Sequence, residues 1–345
     1  MTGTKESKRE RAKIFWLVLL GIVVIISAVF SILRIVSISG VILLYDDSSD
    51  MLRAFEEAYE AYNLDLKVFK IRYNPDTVKK QLEMVSRHGI RLIIGPRLSS
   101  EAEVLLPILV ELDMYAISPT VTSPRVVGID RRIVTMAVED KKQIEMLVQE
   151  MMKDEIKRLL VIKGEENNAY AFLPFIELLK LEFEGEEVIV HCLHKDAKKE
   201  FELPDNVLNF DGILCVTDGK TTGMLCKKLF DIGYKGKIYA SDYAMDKNLL
   251  LFSKKYIDKL KVFMPVSKKI APSKNADYVG TYNAVILAKL LLERYHNDLK
   301  RAFTELINFS FEGIDGPVTI TENYYATKEC SIITLEEVFN GEKHW

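Results

Sequence analysis

Several signatures that would carry chemistry are missing from this 345-residue sequence. It has no G-x-G-x-x-G, no H-E-x-x-H and no G-x-S-x-G, which removes the dinucleotide, zinc-protease and serine-hydrolase readings. Gly219-Lys220-Thr221 ends like a phosphate-binding loop, but the glycine required at position 214 is Leu214. Histidine is scarce, at positions 88, 191, 194, 296 and 344. His191 and His194 share one strand-like segment and point to opposite faces of it, so no metal site is expected. Cysteine is scarce too: Cys192, Cys215, Cys226 and Cys330 form no C-x-x-C pair, and their spacing assigns no disulfide. Cys215 lies in the apolar run GILCV at 212–216 and reads as a small buried hydrophobe. The net charge is −3, and beyond the N-terminus no basic stripe marks a nucleic-acid binder. With no nucleophile–base pair in view, the chain reads as a non-enzyme without cofactor.

Long hydrophobic runs are absent except in one place. Lys5, Lys8, Arg9, Arg11 and Lys13 precede an uncharged stretch at 14–33, IFWLVLLGIVVIISAVFSIL. As a helix it would rise about 30 Å, the thickness of a bilayer's hydrocarbon core. The basic flank predicts a cytoplasmic tail over 1–13 and an extracytoplasmic remainder. The stretch is longer than a signal-peptide core, its end fits a cleavage site poorly, and no cysteine follows it for lipid attachment. It therefore reads as an uncleaved, single-pass anchor in the cell membrane rather than a removed signal.

The rest alternates short apolar runs with amphipathic stretches. Strands are expected at 41–45, 66–71, 91–94 and 114–117, and again at 158–162, 187–193, 212–216 and 237–240. Helices are expected between them, at 49–62, 76–87, 99–112, 140–152, 168–183 and 221–232. Brief Val/Ile/Leu runs between helices are typical of parallel strands covered on both faces. Two such blocks imply an α/β chain of two doubly wound parallel-sheet lobes. Ligands of such sheets bind beyond the carboxyl ends of the strands, so the following loops are where function is sought.

Those loops carry a resemblance. Residues 92–124, LIIGPRLSSEAEVLLPILVELDMYAISPTVTSP, join a strand ending in Gly-Pro, a serine-rich turn, a helix, a strand ending in Ile-Ser-Pro and a threonine turn. This order resembles the type I periplasmic solute-binding proteins, most closely the leucine/isoleucine/valine-binding branch. Residues 278–295 look like that family's long first-lobe helix, GIDGPV at 313–318 like its last interlobe crossing, and VFNG at 338–341 like its closing strand. The resemblance implies a three-strand hinge near 137–139, 263–265 and 313–317. Lobe 1 would then hold 38–137 plus 267–313, and lobe 2 would hold 140–263 plus 318–345. It further implies capture of an amino acid or similar small polar ligand for an ABC permease in the membrane. A permanent anchor equally suits a second reading, a sensor or scaffold whose cleft regulates a membrane partner.

Candidate contacts follow. Ser99 and Ser100 open a helix after a strand, which suits a ligand carboxylate as well as a plain N-cap. Ser118, Thr120 and Thr122 form the next loop, which in the family holds the ligand's carboxylate and amino group. The same proline-bounded turn can satisfy its own hydroxyls. Tyr170 matches a family tyrosine whose ring covers the ligand, or it packs. Asp242 stands where the family pairs an acidic residue with an α-ammonium, and Asp218 ends another strand; either can be a loop cap. Two departures stand out. The first loop, Asp46-Asp47-Ser48-Ser49, is short and acidic where the family's is longer and rich in Gly and Ser, which adds Asp47 as a candidate. Arg97 enters the serine turn, where it can bind an acidic ligand or pair with an aspartate and block the pocket.

Overall fold

GVILLY at Gly40–Tyr45 has no polar side chain to turn toward water before its last residue, and it forms β1, buried along its length. It centres a parallel sheet with β2 (Lys67–Arg72), β3 (Leu92–Ile94), β4 (Tyr115–Ser118) and β5 (Ile133–Thr135), in the order β2-β1-β3-β4-β5. The computed structural model describes residues 16, 19–25, 40–46, 49–164, 169–193, 202–245, 247–253, 260–271 and 274–340. Edge strand β2, KVFKIR, is the least buried and keeps Lys67, Lys70 and Arg72 on the rim, which blunts an open sheet edge. Helices α1 (Ser49–Ala61), α2 (Val78–Ser86) and α3 (Ser99–Glu111) connect the strands. Strand β5 was not foreseen in the sequence.

The second sheet repeats the plan. α4 (Asp140–Lys153), β6 (Arg158–Gly164), α5 (Ala169–Glu182), β7 (Glu187–Leu193), β8 (Gly212–Val216), α6 (Gly219–Asp231), β9 (Lys237–Ala240), α7 (Lys247–Ser253) and β10 (Leu260–Met264) follow in turn. The strands order β7-β6-β8-β9-β10, with β14 (Ser331–Thr334) antiparallel to β10 at the edge. Each sheet therefore reverses direction once, between β1 and β3 and between β6 and β8. Those switch points open a crevice at the carboxyl end of the strands.

The chain then returns to the first core. Helix α8 (Ala276–Tyr295) is buried on most of its circumference and capped by Asn275, whose Oδ1 accepts the Tyr278 N–H at 3.0 Å. After α9 (Leu299–Thr304) come β11 (Ser310–Gly313), β12 (Gly316–Ile320) and β13 (Ala326–Thr327), a small antiparallel sheet. Phe311, Val318, Ile320 and Tyr324–Ala326 pack in the core of the first sheet with Val41–Leu44 and Leu92–Ile94. Each fully buried aliphatic side chain contributes about 1.5–3 kcal/mol.

Two sequence expectations fail here. Gly313 pairs with Gly316 as the ends of a hairpin turn, so 313–317 is not a crossing, and residues 318–326 pack with the first core rather than in lobe 2. The chain reaches the second sheet only at Ser331. VFNG is not a strand: α10 (Leu335–Asn340) takes its first three residues. The reason is a capping box, in which the Thr334 N–H donates to Glu337 at 2.8 Å and the Glu337 N–H to Thr334 Oγ1 at 3.4 Å.

Residues 1–39 form a separate compact unit, of which Trp16 and 19–25 are described. These are helical and exposed, Trp16 by 66% and Ile25 by 64%. Among the described residues no helix is long and apolar enough to cross a membrane. The basic tail and the rest of the 14–33 stretch lie outside the described residues.

Candidate functional site

The loop after β3 turns at Gly95, whose φ is +114° and where a Cβ would collide with the Leu44 carbonyl. Only glycine fits that turn, and it brings Arg97 back over the β1–β3 switch point. Arg97 Nε donates to Asp46 Oδ2 at 2.6 Å, and its Nη1 to Asp277 Oδ2 at 3.4 Å. Burial works against the guanidinium charge, but the carboxylates of Asp277 and Asp46 outweigh it and hold Arg97 firmly protonated. Of the two roles open to Arg97 in the sequence, the structure has it paired with aspartates.

A carboxylate of the protein's own sits at the start of α3. The backbone N–H groups of Arg97 and Leu98 both donate to Glu101 Oε2 at 3.1 Å. Glu101 is only 7% exposed, and burial pushes its carboxyl up despite those two bonds. The predicted hydroxyls stitch the neighbouring loops together. Ser118 Oγ, fully buried, donates to the Pro96 carbonyl at 2.8 Å and accepts the Val121 N–H at 2.9 Å. Thr120 Oγ1 donates to the Arg97 carbonyl at 2.8 Å, and Ser99 Oγ accepts the Ser123 N–H at 3.3 Å. Ser118 is thus a rivet of the turn.

On the second sheet the loops after β8 and β9 and the start of α4 converge. Asp218 caps α6, accepting the Thr221 N–H at 2.9 Å and the Thr221 hydroxyl at 2.8 Å. Asp242 Oδ1 accepts from Gln143 Nε2 at 3.0 Å. The Thr122 hydroxyl of the first sheet's loop favours the charged form of Asp140. Burial, and next the Asp242 charge, push the Asp140 carboxyl well above the usual range; burial raises Asp242 as well. Ser241, 2% exposed, carries an Oγ with no hydrogen-bond partner.

These loops enclose a cavity of about 220 Å³. Arg97, Ser99, Thr120, Thr122, Asp218 and Asp242 line it, as do Asp140, Gln143, Phe175, Ser241, Tyr243 and Asp277, which the sequence reading missed. Ser118 lies behind the wall, and Ser100 is exposed on α3 away from the lining. Tyr170 sits in the first turn of α5; its side chain, like Asp47, lies outside the described residues. Phe175, one to two turns further along α5, reaches the cavity. Ser241 follows β9 directly, so the strand-end rule that picked Asp242 could have found it. Asp140 could have been found as the first residue of the helix after β5.

A larger cavity of about 600 Å³ lies beside the connections, walled by Pro124–Arg131, Glu139–Lys141 and Glu322–Tyr325. It adjoins the smaller cavity and shares Thr122 and Asp140 with it, but it is built mainly from connecting segments and the hairpin, whereas the smaller one gathers the strand-end loops of both sheets and is the candidate site. Among the described residues no histidine lines it. His191 Nε2 lies 2.8 Å from the Glu202 carbonyl, and His194 is outside the described residues. Among the described residues no three His, Cys, Asp or Glu side chains could hold a metal ion, and all four cysteines are free.

No family model matches the sequence, and no curated protein is significantly similar to it. Solved structures do match. A leucine-binding protein LivK from Thermotoga maritima aligns at TM-score 0.70 and 17% identity over 86% of this chain and 97% of its own. The branched-chain amino acid transporter substrate-binding protein LivJ from Streptococcus pneumoniae, in complex with isoleucine, gives 0.70 and 13% over 86% and 96%. An ABC-transporter solute-binding protein from Rhodopseudomonas palustris, in complex with 3,4-dihydroxybenzoic acid, gives 0.70 and 14% over 86% and 92%. These neighbours are solute-binding proteins, and this chain carries the fold of the type I periplasmic solute-binding proteins to which they belong.

Proposed function

We propose that the chain is a membrane-anchored, extracytoplasmic solute-binding protein that holds a small polar ligand between its two lobes and presents it to an ABC-type importer. The observation that carries this reading is the convergence of both sheets' switch-point loops on one cavity, with side chains from both walls. Ser99, Thr120 and Thr122 form one wall, and Asp218, Ser241 and Asp242 the other. In this reading the lobes meet through crossings near 137–139, 263–265 and 328–330, and hinge there to close on the ligand. The anchor is the 14–33 stretch behind its basic tail, and the exposed apolar helix at 19–25 accords with it.

A second reading, a ligand-sensing or scaffold ectodomain acting on a membrane partner, draws on Arg97. Its pairing with Asp46 and Asp277 fills part of the space in which a ligand acid group would be held.

The test is a thermal-shift screen of the full chain in detergent against amino acids, amides, amines and small acids. A ligand at 100-fold its Kd stabilises a one-site protein by about 2.7 kcal/mol. Asp242→Ala is expected to weaken the bound hit by about tenfold or more. Unchanged affinity in that variant removes Asp242 from the site, and no shift with any class argues for the scaffold.

A further inference from the structure

We infer that the cleft selects an organic cation, an amine that carries no carboxylate, because its lining is rich in aspartates and its one arginine is already paired with the protein's own carboxylates. This inference rests on the cavity being the binding site.

The first line of argument is charge. Four aspartates, Asp140, Asp218, Asp242 and Asp277, line the cavity, against Arg97 as the one cation among the described lining residues. Arg97 is already committed, at 2.6 Å to Asp46 and 3.4 Å to Asp277. An incoming carboxylate would have to displace one of them and sit among the remaining aspartates, at a cost in like-charge repulsion.

The second is the start of α3. A helix N-terminus holds anions through its unpaired N–H groups. Here Glu101 already sits at the mouth of the helix, accepting the N–H of the N-cap residue Leu98 and that of Arg97 just before it. The helix carries its own anion.

The third is an unpartnered hydroxyl among those aspartates. Ser241 lines the cavity, is 2% exposed, and its Oγ has no hydrogen-bond partner. A buried hydroxyl left without a partner costs about 1–3 kcal/mol, and a ligand group that bonds it would recover it. The hydroxyl can accept an ammonium N–H or donate to an anion, and the aspartates around it favour the ammonium. Asp242 stands next in sequence to take the charge. The same cation would offset the repulsion between Asp242 and Asp140.

A metal ion fits less well. Among the described residues no three carboxylates converge closely enough to hold one. Leu98, Phe175, Val216, Met245 and Ala276 add an apolar wall that suits a carbon skeleton. A volume of about 220 Å³ fits a small amine.

The experiment uses the full chain in detergent and matched trios that share a skeleton: leucine, 3-methylbutylamine and 4-methylpentanoate; phenylalanine, 2-phenylethylamine and 3-phenylpropanoate. 1,4-Diaminobutane is added, and binding is read by calorimetry. The expected result is that an amine binds about tenfold or more tighter than its amino acid and its acid. Ser241→Ala should weaken that amine by about threefold to tenfold without lowering the unliganded melting temperature, since the hydroxyl has no partner to lose. An amino acid or acid that binds more tightly than its amine, and is weakened by Asp242→Asn or Thr122→Val, overturns the cation inference and leaves the cleft as a binding site. Amine binding unaffected by both Ser241→Ala and Asp242→Asn, or no binding by any compound, overturns the cleft reading and this inference with it.

Discussion

Asp140 is held in a setting that disfavours its charge. It is half-buried at the cavity wall yet surrounded by protein, close to Asp242, with Glu139 beside it in sequence. The Thr122 hydroxyl is the compensating contact, and the Tyr325 phenol nearby donates to the Thr122 carbonyl at 2.8 Å. Burial dominates and the folded-state pKa is raised. Between the unfolded value of about 3.9 and the raised value, the native state binds more protons than the unfolded one, so stability falls as pH rises through that window. Above the raised value both states are ionised and the penalty is fully present. Asp140→Asn removes the charge and keeps an acceptor for Thr122. It should therefore stabilise the unliganded protein at neutral pH, and the gain should shrink as pH falls toward about 4. Urea midpoints of both proteins across that range check this. A gain that grows toward low pH would mean that the carboxylate is stabilising when charged. The opposite sign holds for Glu150 and Asp154. Lys261 lies 2.7 Å from each and holds both below the usual range, against burial in the case of Asp154, so their contribution is lost as pH falls through those lowered values.

Helix α8 positions the site by touching the loop that carries Thr120 and Thr122. At Gly280 it approaches so closely that a Cβ would run into the Pro119 carbonyl, a backbone atom that cannot swing aside. Gly280→Ala is expected to cost about 1–3 kcal/mol in urea unfolding, although alanine is the better helix former. A stabilised variant would show that the loop gives way freely. The elements themselves differ in how plainly the sequence announces them. GILCV and EVIVHCL have bounds that coincide with β8 and β7, because unbroken apolar or β-branched runs leave little alternative to a strand. Strand β5 is three residues, IVT, too short for any period to show. GIDG reads equally as a crossing or a hairpin turn, and only the pairing of Gly313 with Gly316 decides it. The T-x-x-E spacing at Thr334–Glu337 is a helix-start signal that could have corrected the resemblance of VFNG to a strand. The site divides in the same way. Residues that follow strands, Arg97, Thr120, Asp218 and Asp242, are legible from the strand-end rule. Asp277 is not, because it meets Arg97 from 180 positions away at the start of a helix that follows no strand of the first sheet. Gln143 and Phe175 likewise reach the cavity from helices, and only packing brings them there.

Residues 40–345 form one compact unit even though they hold two sheets, so something must bind the halves together. Asn323 donates to Glu139 at 3.0 Å, and Thr122 meets Asp140, but these are half-exposed. Ala54, Tyr278 and Val279 pack into the second core, and a buried polar tie joins Lys328 with Asp315, whose side chains are 3% and 1% exposed and lie 3.5 Å apart, close enough for an ionic contact. Asp315 Oδ1 accepts from Asn283 of α8 at 2.9 Å, while Oδ2 has no hydrogen bond and depends on the lysine charge alone. Lys328 stands on the segment that leaves the first core for β14, so the pair fastens the last connection between the sheets to the helix beneath it. A buried ion pair adds little over an apolar pair, but stripping one partner leaves a desolvated charge. Asp315→Ala should therefore cost about 3–5 kcal/mol. Because the pair joins the two halves, the loss should appear as one cooperative urea transition at a lower midpoint. Two separated transitions would mean that the halves fold independently and that the pair is what couples them. A cost below about 1 kcal/mol would mean that Lys328 escapes to water, which its burial against Asp315 does not favour.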